Sequence, residues 1–550
     1  MADTHISTEG SSSIDMLLGN DYYLDVVMLQ KIEVQPGLYI LASKLGWILT
    51  GRTNETNEGD SESNMFILTH GTNMSKTKVF SKVDSVVQTK PDLEDFWKIE
   101  SLGISEEQDG ISDKIALTKF KETLRYDNGM YHVTWPWKEA APELPDNRDL
   151  ALARLRSNVA RMRNKPDILD KYNNVIKEQL SKGMTEPVET NTTSDLVHYI
   201  PHHAVITPHK STTKLRVVYD ASAKTKAENR SLNDSLYRDP VMLHDLCGLL
   251  MRFRLNRIAL VSDIEKAFLQ IGLQPSQRDV TRFLWIKDIK QPVVFTENIQ
   301  EYRFCRVPFG VISSPFLLGA TIESHLERYG NSTAEKIKDD IYVDNVITGT
   351  NTWPEAFELY SDSKKMFNDA SVNLREWASN SKELMEMIPS KDKTDDQVIK
   401  VLGHTWNTSN DTLALCVTDI TCETRRLTKR IMLKQISSVF DPLGLLCPVV
   451  LKGKLLLQSI WKKKIGWDDT IDDSDSEIVN SWRNVKEDLK NISSFTISRC
   501  IAMNTIVDKT EHSLVCFCDA SAMAYATVIY LHQRSEKETT VNLVFTKSSL

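Results

Sequence analysis

The sequence has no apolar run of the roughly 18–20 residues that a membrane helix needs. The nearest approach, 443–457, is interrupted by Pro448, Lys452 and Lys454, and no membrane partner is expected. The start, Met1-Ala2-Asp3-Thr4-His5, lacks the basic residues and apolar core of a secretory signal. Cysteine is scarce and one-sided. All eight lie after residue 246, with no Cys-x-x-Cys pair and no histidine at finger spacing, which argues against a disulfide framework or a structural zinc site. His202, His203 and His209 share one extended stretch but have no acidic partner at ligand spacing. There is no internal repeat.

What is present is a globular composition, 41% hydrophobic and 26% charged, in 550 residues. That is too long for one core, so about three to four units are expected. The net charge of −8 conceals a contrast. Residues 151–290 carry 23 Lys and Arg against 15 Asp and Glu, whereas residues 1–150 sum to −11. The local surplus suits a groove for a phosphate backbone, and equally an ordinary solvated surface.

Residues 14–21 read as an apolar strand ending in a glycine turn, and 31–50 as two more strands. Residues 52–64 hold no apolar side chain and read as a disordered linker. Helical patches follow around Phe96-Trp97 and 115–120, then a strand stopped at Pro136. From Asn147 to about Gly183 the apolar residues recur at helical steps. Residues 199–220 read as extended and 242–255 as helical. Ser313-Ser314-Pro315 is expected to cap a helix reaching Tyr329. Further helices are expected over 354–370, 428–440 and 448–465. Paired strands are expected over 401–406 and 413–417, and three strands after residue 513.

The chemistry gathers at two carboxylates. Asp344 lies in Ile341-Tyr342-Val343-Asp344-Asn345-Val346-Ile347, where β-branched and aromatic residues flank a polar pair, the pattern of a β-hairpin with that pair at or near its turn. An aspartate in such a turn most often serves its own backbone. Asp263, however, stands near the end of the apolar run Ile258-Ala259-Leu260-Val261. Two carboxylates on adjacent strand ends can hold two divalent ions for an in-line phosphoryl displacement, and hard oxygen donors suit magnesium. Lys214 and Arg216 alternate with apolar residues on one strand face, where they fit a triphosphate or simply solvent.

Taken together, Lys214-x-Arg216, Asp263-x-x-x-Ala267-Phe268, Pro308-Phe309-Gly310 with Ser314-Pro315, and Tyr342-Val343-Asp344-Asn345 resemble a reverse transcriptase, in that order. With Leu374-Arg375-Glu376-Trp377-Ala378-Ser379-Asn380, Val401-Leu402-Gly403-His404-Thr405-Trp406 and Phe440-Asp441-Pro442-Leu443-Gly444, nearly the whole chain resembles the polymerase polyprotein of BEL/Pao-type LTR retrotransposons. The resemblance implies an α+β right-hand polymerase, an RNA-directed DNA polymerase working by two-metal nucleotidyl transfer with magnesium or manganese. It implies Asp263, Asp344 and Asn345 as catalytic positions, with Asp263, Asp344 and the Ile264 carbonyl at the metal. Lys214 and Arg216 would face the triphosphate, Phe268 would be the steric gate under the sugar, and Phe309 and Gly310 would line the nucleotide pocket. Trp377, Gly403 and Trp406 are primer-grip candidates. RNA template, DNA or RNA primer, deoxynucleotides and other parts of the same polyprotein are the implied partners, in a cytoplasmic virus-like particle.

The implied division is a retropepsin-like protease remnant over 1–51, an acidic linker over 52–145, fingers and palm over 146–380, a helical thumb and connection over 381–500, and an incomplete RNase H-like start over 501–550. Three departures stand out. Asn345 occupies the place of a second aspartate. Residues 1–51 lack the catalytic Asp-Thr/Ser-Gly triplet. Asp519, which resembles the first RNase H carboxylate, is followed by only two acidic residues, Glu536 and Glu538. The alternative is a catalytically silent retroelement fragment that only binds nucleic acid.

Overall fold

The computed structural model describes the backbone of three strands between residues 27 and 51. From residue 110 onward it describes the chain except for 140–141, 190–195, 207–214, 227–228, 239, 241, 416–425, 472–474, 493–494, 503–509 and 537. The expected strand at 14–21, the linker at 52–64, the helical patch at Phe96-Trp97, and Lys214 fall outside the described residues. Val27–Gln35, Leu38–Ser43 and Gly46–Gly51 form an antiparallel meander, one strand more than the alternation of 31–50 suggests.

The strand Ile258–Ile264 organises the middle of the chain. It sits inside a four-stranded antiparallel sheet, between Asn345–Thr350 and Leu374–Ser379, with Ile341–Tyr342 at the edge. Alternate residues of a strand face opposite sides. Leu260 and Ile264 accordingly join one core with Val346, Leu374 and Trp377, while Ala259 and Val261 join another with Leu249, Phe253, Ile347 and Ala378. Burial on both faces is why the strand reads as a continuous apolar run. Asp263, two residues past Val261, falls on the Val261 side.

The helical stretch from 147 to 183 is two helices, Arg148–Met162 and Pro166–Ser181. Pro166 starts the second one because its fixed φ and missing N–H suit a first helical position. Gly183, at φ +62°, follows its end. The extended region beyond is a hairpin of His202–Ile206 and Leu215–Tyr219. Helix 242–255 begins later than expected, at Leu246, because the Asp245 carboxylate accepts from the Cys247 and Gly248 N–H groups and fixes the start there. The helix Ser314–Tyr329 is not capped by its serines. Ser314 Oγ instead donates to the Pro308 carbonyl at 2.7 Å, and Ser313 Oγ to the Tyr237 carbonyl at 2.7 Å.

His202 is buried among Tyr172, Tyr219, Phe283 and Trp285. Its Nε2–H donates to the Leu284 carbonyl at 2.8 Å, leaving Nδ1 to accept from the Tyr172 hydroxyl. Burial holds this neutral ring's pKa down to about 4. The unfolded chain therefore takes up the proton first, and stability is lost as pH falls from about 6.5 toward 4, by up to about 3 kcal/mol. Urea midpoints measured across that range should fall more steeply for the wild type than for His202→Gln.

Beyond residue 381 the paired strands expected over 401–406 and 413–417 lie in a four-stranded sheet, ordered Val398–Val401, His404–Asn407, Thr412–Leu415 and Thr496–Ser498. Helices Lys429–Ser437, Cys447–Lys462 and the unanticipated Ser476–Ile492 follow or interleave with it. The last sheet is Glu511–Ala520, Tyr525–Arg534 and Thr539–Ser549. These helices share a core with Leu550 and partly buried Ala524. Thr546 N–H also donates to the Leu443 carbonyl at 2.9 Å. The break expected between 500 and 501 therefore runs through a packed unit that begins near 428. Among the described residues no helix is long and apolar enough to cross a membrane.

Candidate active site

The hairpin at 341–350 has Tyr342 opposite Asn345, so its two turn residues are Val343 and Asp344 and Asn345 already belongs to the strand. Val343 has φ +57°, the left-handed sign that the first position of a tight hairpin turn requires. A β-branched residue adopts this at a cost. The Asp344 carbonyl accepts from Ile264 N–H at 2.8 Å, which pins the turn to the end of the Asp263 strand. Asp263 itself has a direct cross-strand neighbour on each side, Asn345 and Arg375. Opposed residues of an antiparallel pair share a face, so the three side chains form a row.

The Asp263 carboxyl is pushed up to about 6, first by burial, then by the charges of Asp344 and Glu376, with Arg375 opposing. Burial also raises Asp344, while the Asn345 amide counteracts that shift. Asn345 Nδ2 donates to Asp344 Oδ1 at 2.8 Å. Here the amide acts as a donor that steadies the neighbouring carboxylate, where an aspartate would repel it.

Of the residues expected at a nucleotide pocket, Phe268 and Phe309 are in contact. Phe268 and Phe309 rings lie 4.8 Å apart at 60°, with Phe309 43% exposed. Lys266 and Ala267, at φ +54° and +28°, turn the chain sharply between Asp263 and Phe268. Gly310 has φ +95°, and a Cβ there would lie 2.1 Å from the Tyr219 carbonyl oxygen. Only glycine lets this turn reach the end of the strand that carries exposed Arg216. Of the ten non-glycine residues with left-handed backbone among the described residues, Lys266, Ala267, Val343 and Glu376 belong to this one site. Such conformations cost energy and persist only where the surrounding structure holds them.

The primer-grip expectation is corrected. Trp377 and Trp406 are 0% exposed and belong to the two cores, so their side chains cannot touch a primer. Gly403, at φ +85°, is the hairpin turn before His404, with Phe440 packed where a Cβ would sit. Ile264 is also a core side chain, so it can contribute only through its backbone. Asp519 is the last residue but one of the strand Glu511–Ala520 and is exposed. The sequence places Arg375 and Glu376 in a strand, 374–380, expected to grip the primer end, and not beside the carboxylates. Both lie in the quoted 374–380 motif, but only the register shift after Arg375 brings Glu376 into the field of Asp263.

Among the described residues no group of three or more His, Cys, Asp or Glu side chains is placed to hold a metal ion. Two carboxylates with backbone oxygen nearby still fit magnesium, which keeps several waters and is commonly bound by one or two carboxylates plus substrate phosphates. Burial raises the pKa of both carboxyls, and the charges of Asp344 and Glu376 add to the shift at Asp263.

No curated protein matches the chain in sequence. Among solved structures, the foamy viral protease-reverse transcriptase dRH in complex with ds DNA is 15% identical, covering 84% of this chain and 69% of that one, with a TM-score of 0.46. The foamy viral protease-reverse transcriptase in complex with dsDNA is also 15% identical, covering 84% and 82%, with a TM-score of 0.45. At that degree of likeness the site stands on its own residues. Residues 428–550, the packed unit that ends the chain, match the family model of the Pao retrotransposon-like RNaseH-like domain.

Proposed function

We propose that the chain is an RNA-directed DNA polymerase of an LTR retrotransposon of BEL/Pao type. The sheet around Asp263 would be the palm of a right-hand polymerase, with fingers built from the helices and hairpin before it. The observation that carries this reading is convergence. Asp263 and Asp344 meet at one sheet end, Phe268 follows Asp263 by one sharp turn and meets Phe309, and Gly310 brings that segment against the end of the Arg216 strand.

Asp263, Asp344 and the Ile264 carbonyl would hold divalent ions, which when bound supply charge neutralisation for the triphosphate and the attacking 3′-hydroxyl. The protein's own part is position and charge. The Ile264–Asp344 hydrogen bond fixes the separation of the two strand ends, and Asn345 holds the Asp344 carboxylate in one orientation. Arg216, with Lys214, would receive the triphosphate. Phe268, braced by Phe309, would lie under the sugar and exclude a 2′-hydroxyl. Template RNA, primer, deoxynucleotides and the rest of a polyprotein are the proposed partners, in a cytoplasmic particle.

One observation favours a second reading, nucleic-acid binding without catalysis: Asn345 commits its amide to Asp344 and adds no charge. Extension of a DNA primer on an RNA template, with magnesium or manganese, separates the two. Incorporation by the wild-type chain supports the polymerase. Absence of incorporation, restored by Asn345→Asp, supports the silent fragment. On the first reading Phe268→Val should lower discrimination against ribonucleotides roughly 10- to 100-fold, measured as the ratio of kcat/KM values.

A further inference from the structure

Arg375 lies directly across the strand pair from Asp263, on the side opposite Asn345. Register alone therefore sets a long cationic side chain beside the central carboxylate. Its Nε is 3.6 Å from Asp263 Oδ2, beyond hydrogen-bonding distance, and one of its Nη atoms is 3.6 Å from Glu376 Oε1. The Nε atom is buried and makes no hydrogen bond. Glu376, at φ +54° where the register breaks, follows Arg375 in the same strand. The guanidinium thus stands between two carboxylates, held by charge, with its Nε–H lacking an acceptor.

We propose that Arg375 is the resident counter-cation of Asp263 and competes with divalent ions for that carboxylate, so that ion entry requires the guanidinium to move aside. The inference rests on the reading of Asp263 and Asp344 as ion-holding carboxylates. A divalent ion carries twice the charge and approaches an oxygen to about 2.0–2.1 Å, so it outcompetes a guanidinium at 3.6 Å. Glu376 gives the displaced side chain a partner it already has, so leaving Asp263 does not strand a charge. Asn345, on the other side of Asp263, contributes no charge to this balance. Arg375 acts on the ion through Asp263 and is a positioning residue.

The test is Mn2+ binding to the full chain at pH 8, read by the electron paramagnetic resonance of free Mn2+. Arg375→Met should bind Mn2+ about three- to tenfold more tightly than wild type, and Arg375→Lys, which keeps the charge, should stay near wild type. Arg375→Gln replaces the methionine variant if that one does not fold. Equal or weaker binding by a folded, charge-removed variant overturns the inference. Mn2+ binding that is unchanged in Asp263→Asn overturns the underlying reading of the site instead, so the two failures are told apart.

Discussion

Replacing Arg499 by methionine should cost the protein about 3–5 kcal/mol, the loss typical of removing one partner from a buried ion pair. Arg499 is 0% exposed, and all five of its N–H donors are used. Nε donates to Asp411 Oδ1 at 2.6 Å, and one Nη donates to Asp411 Oδ2 at 2.7 Å and the Arg257 carbonyl at 2.9 Å. The other Nη donates to the Phe253 and Asn256 carbonyls at 2.6 and 2.7 Å. Asp411 also accepts from Trp406 Nε1 at 2.9 Å and Asn380 Nδ2 at 3.1 Å. Asn380 Oδ1 in turn accepts from Ala259 N–H in the Asp263 strand at 2.9 Å.

Methionine at 499 would leave a carboxylate without its cation and three carbonyls without their donor. It would also loosen the joint between the later sheet and the strand that carries Asp263. Lysine should not rescue it, because a point charge with three donors cannot reproduce the planar fork. Thermal melting of both variants checks this. A melting temperature within a degree of wild type would show that the joint is dispensable.

Asp263→Asn should abolish nucleotide incorporation, by at least about a thousandfold, and at the same time stabilise the metal-free protein. The second effect comes from the sign of the shift. The folded carboxyl titrates at about 6, above its ordinary value of 3.8, so the folded state binds that proton more tightly than the unfolded chain. Its destabilising charge is fully present above pH 6 and disappears as pH falls toward the ordinary value. Allowing for solvent screening of a partly exposed group, the gain at pH 7 is about 1 kcal/mol. It should be read as a higher melting temperature at pH 7 that is lost near pH 4. A variant inactive and also less stable at pH 7 would mean that Asp263 serves the fold rather than the ions.

The sequence showed the site more clearly than the joints that hold it. Asp263, Asp344, Phe268, Phe309 and Gly310 lie in short motifs whose order is visible along the chain; Asp263 and Asp344 meet at one sheet end, and Phe268 meets Phe309. Arg499 was not legible, because its value comes from carbonyls more than 240 positions away. The helix Ser476–Ile492 is legible in hindsight. Its buried Ile478, Trp482, Val485 and Leu489 keep helical spacing, but the acidic stretch at its start resembles a linker and hides it. Trp377 and Trp406 mislead in the other direction. Residues in a motif suggest contact with a substrate, whereas burial gives these two side chains to packing. Arg375 and Glu376 need the register and its bulge, which no periodicity in the sequence reveals.

Whether Asp263 and Asp344 form a polymerase site is decided by single-nucleotide extension of a DNA primer on an RNA template, with magnesium, by the wild-type chain and by Asp344→Asn. A polymerase site at Asp263 and Asp344 gives template-matched incorporation by the wild type and none by the variant. Incorporation that survives in Asp344→Asn would contradict it.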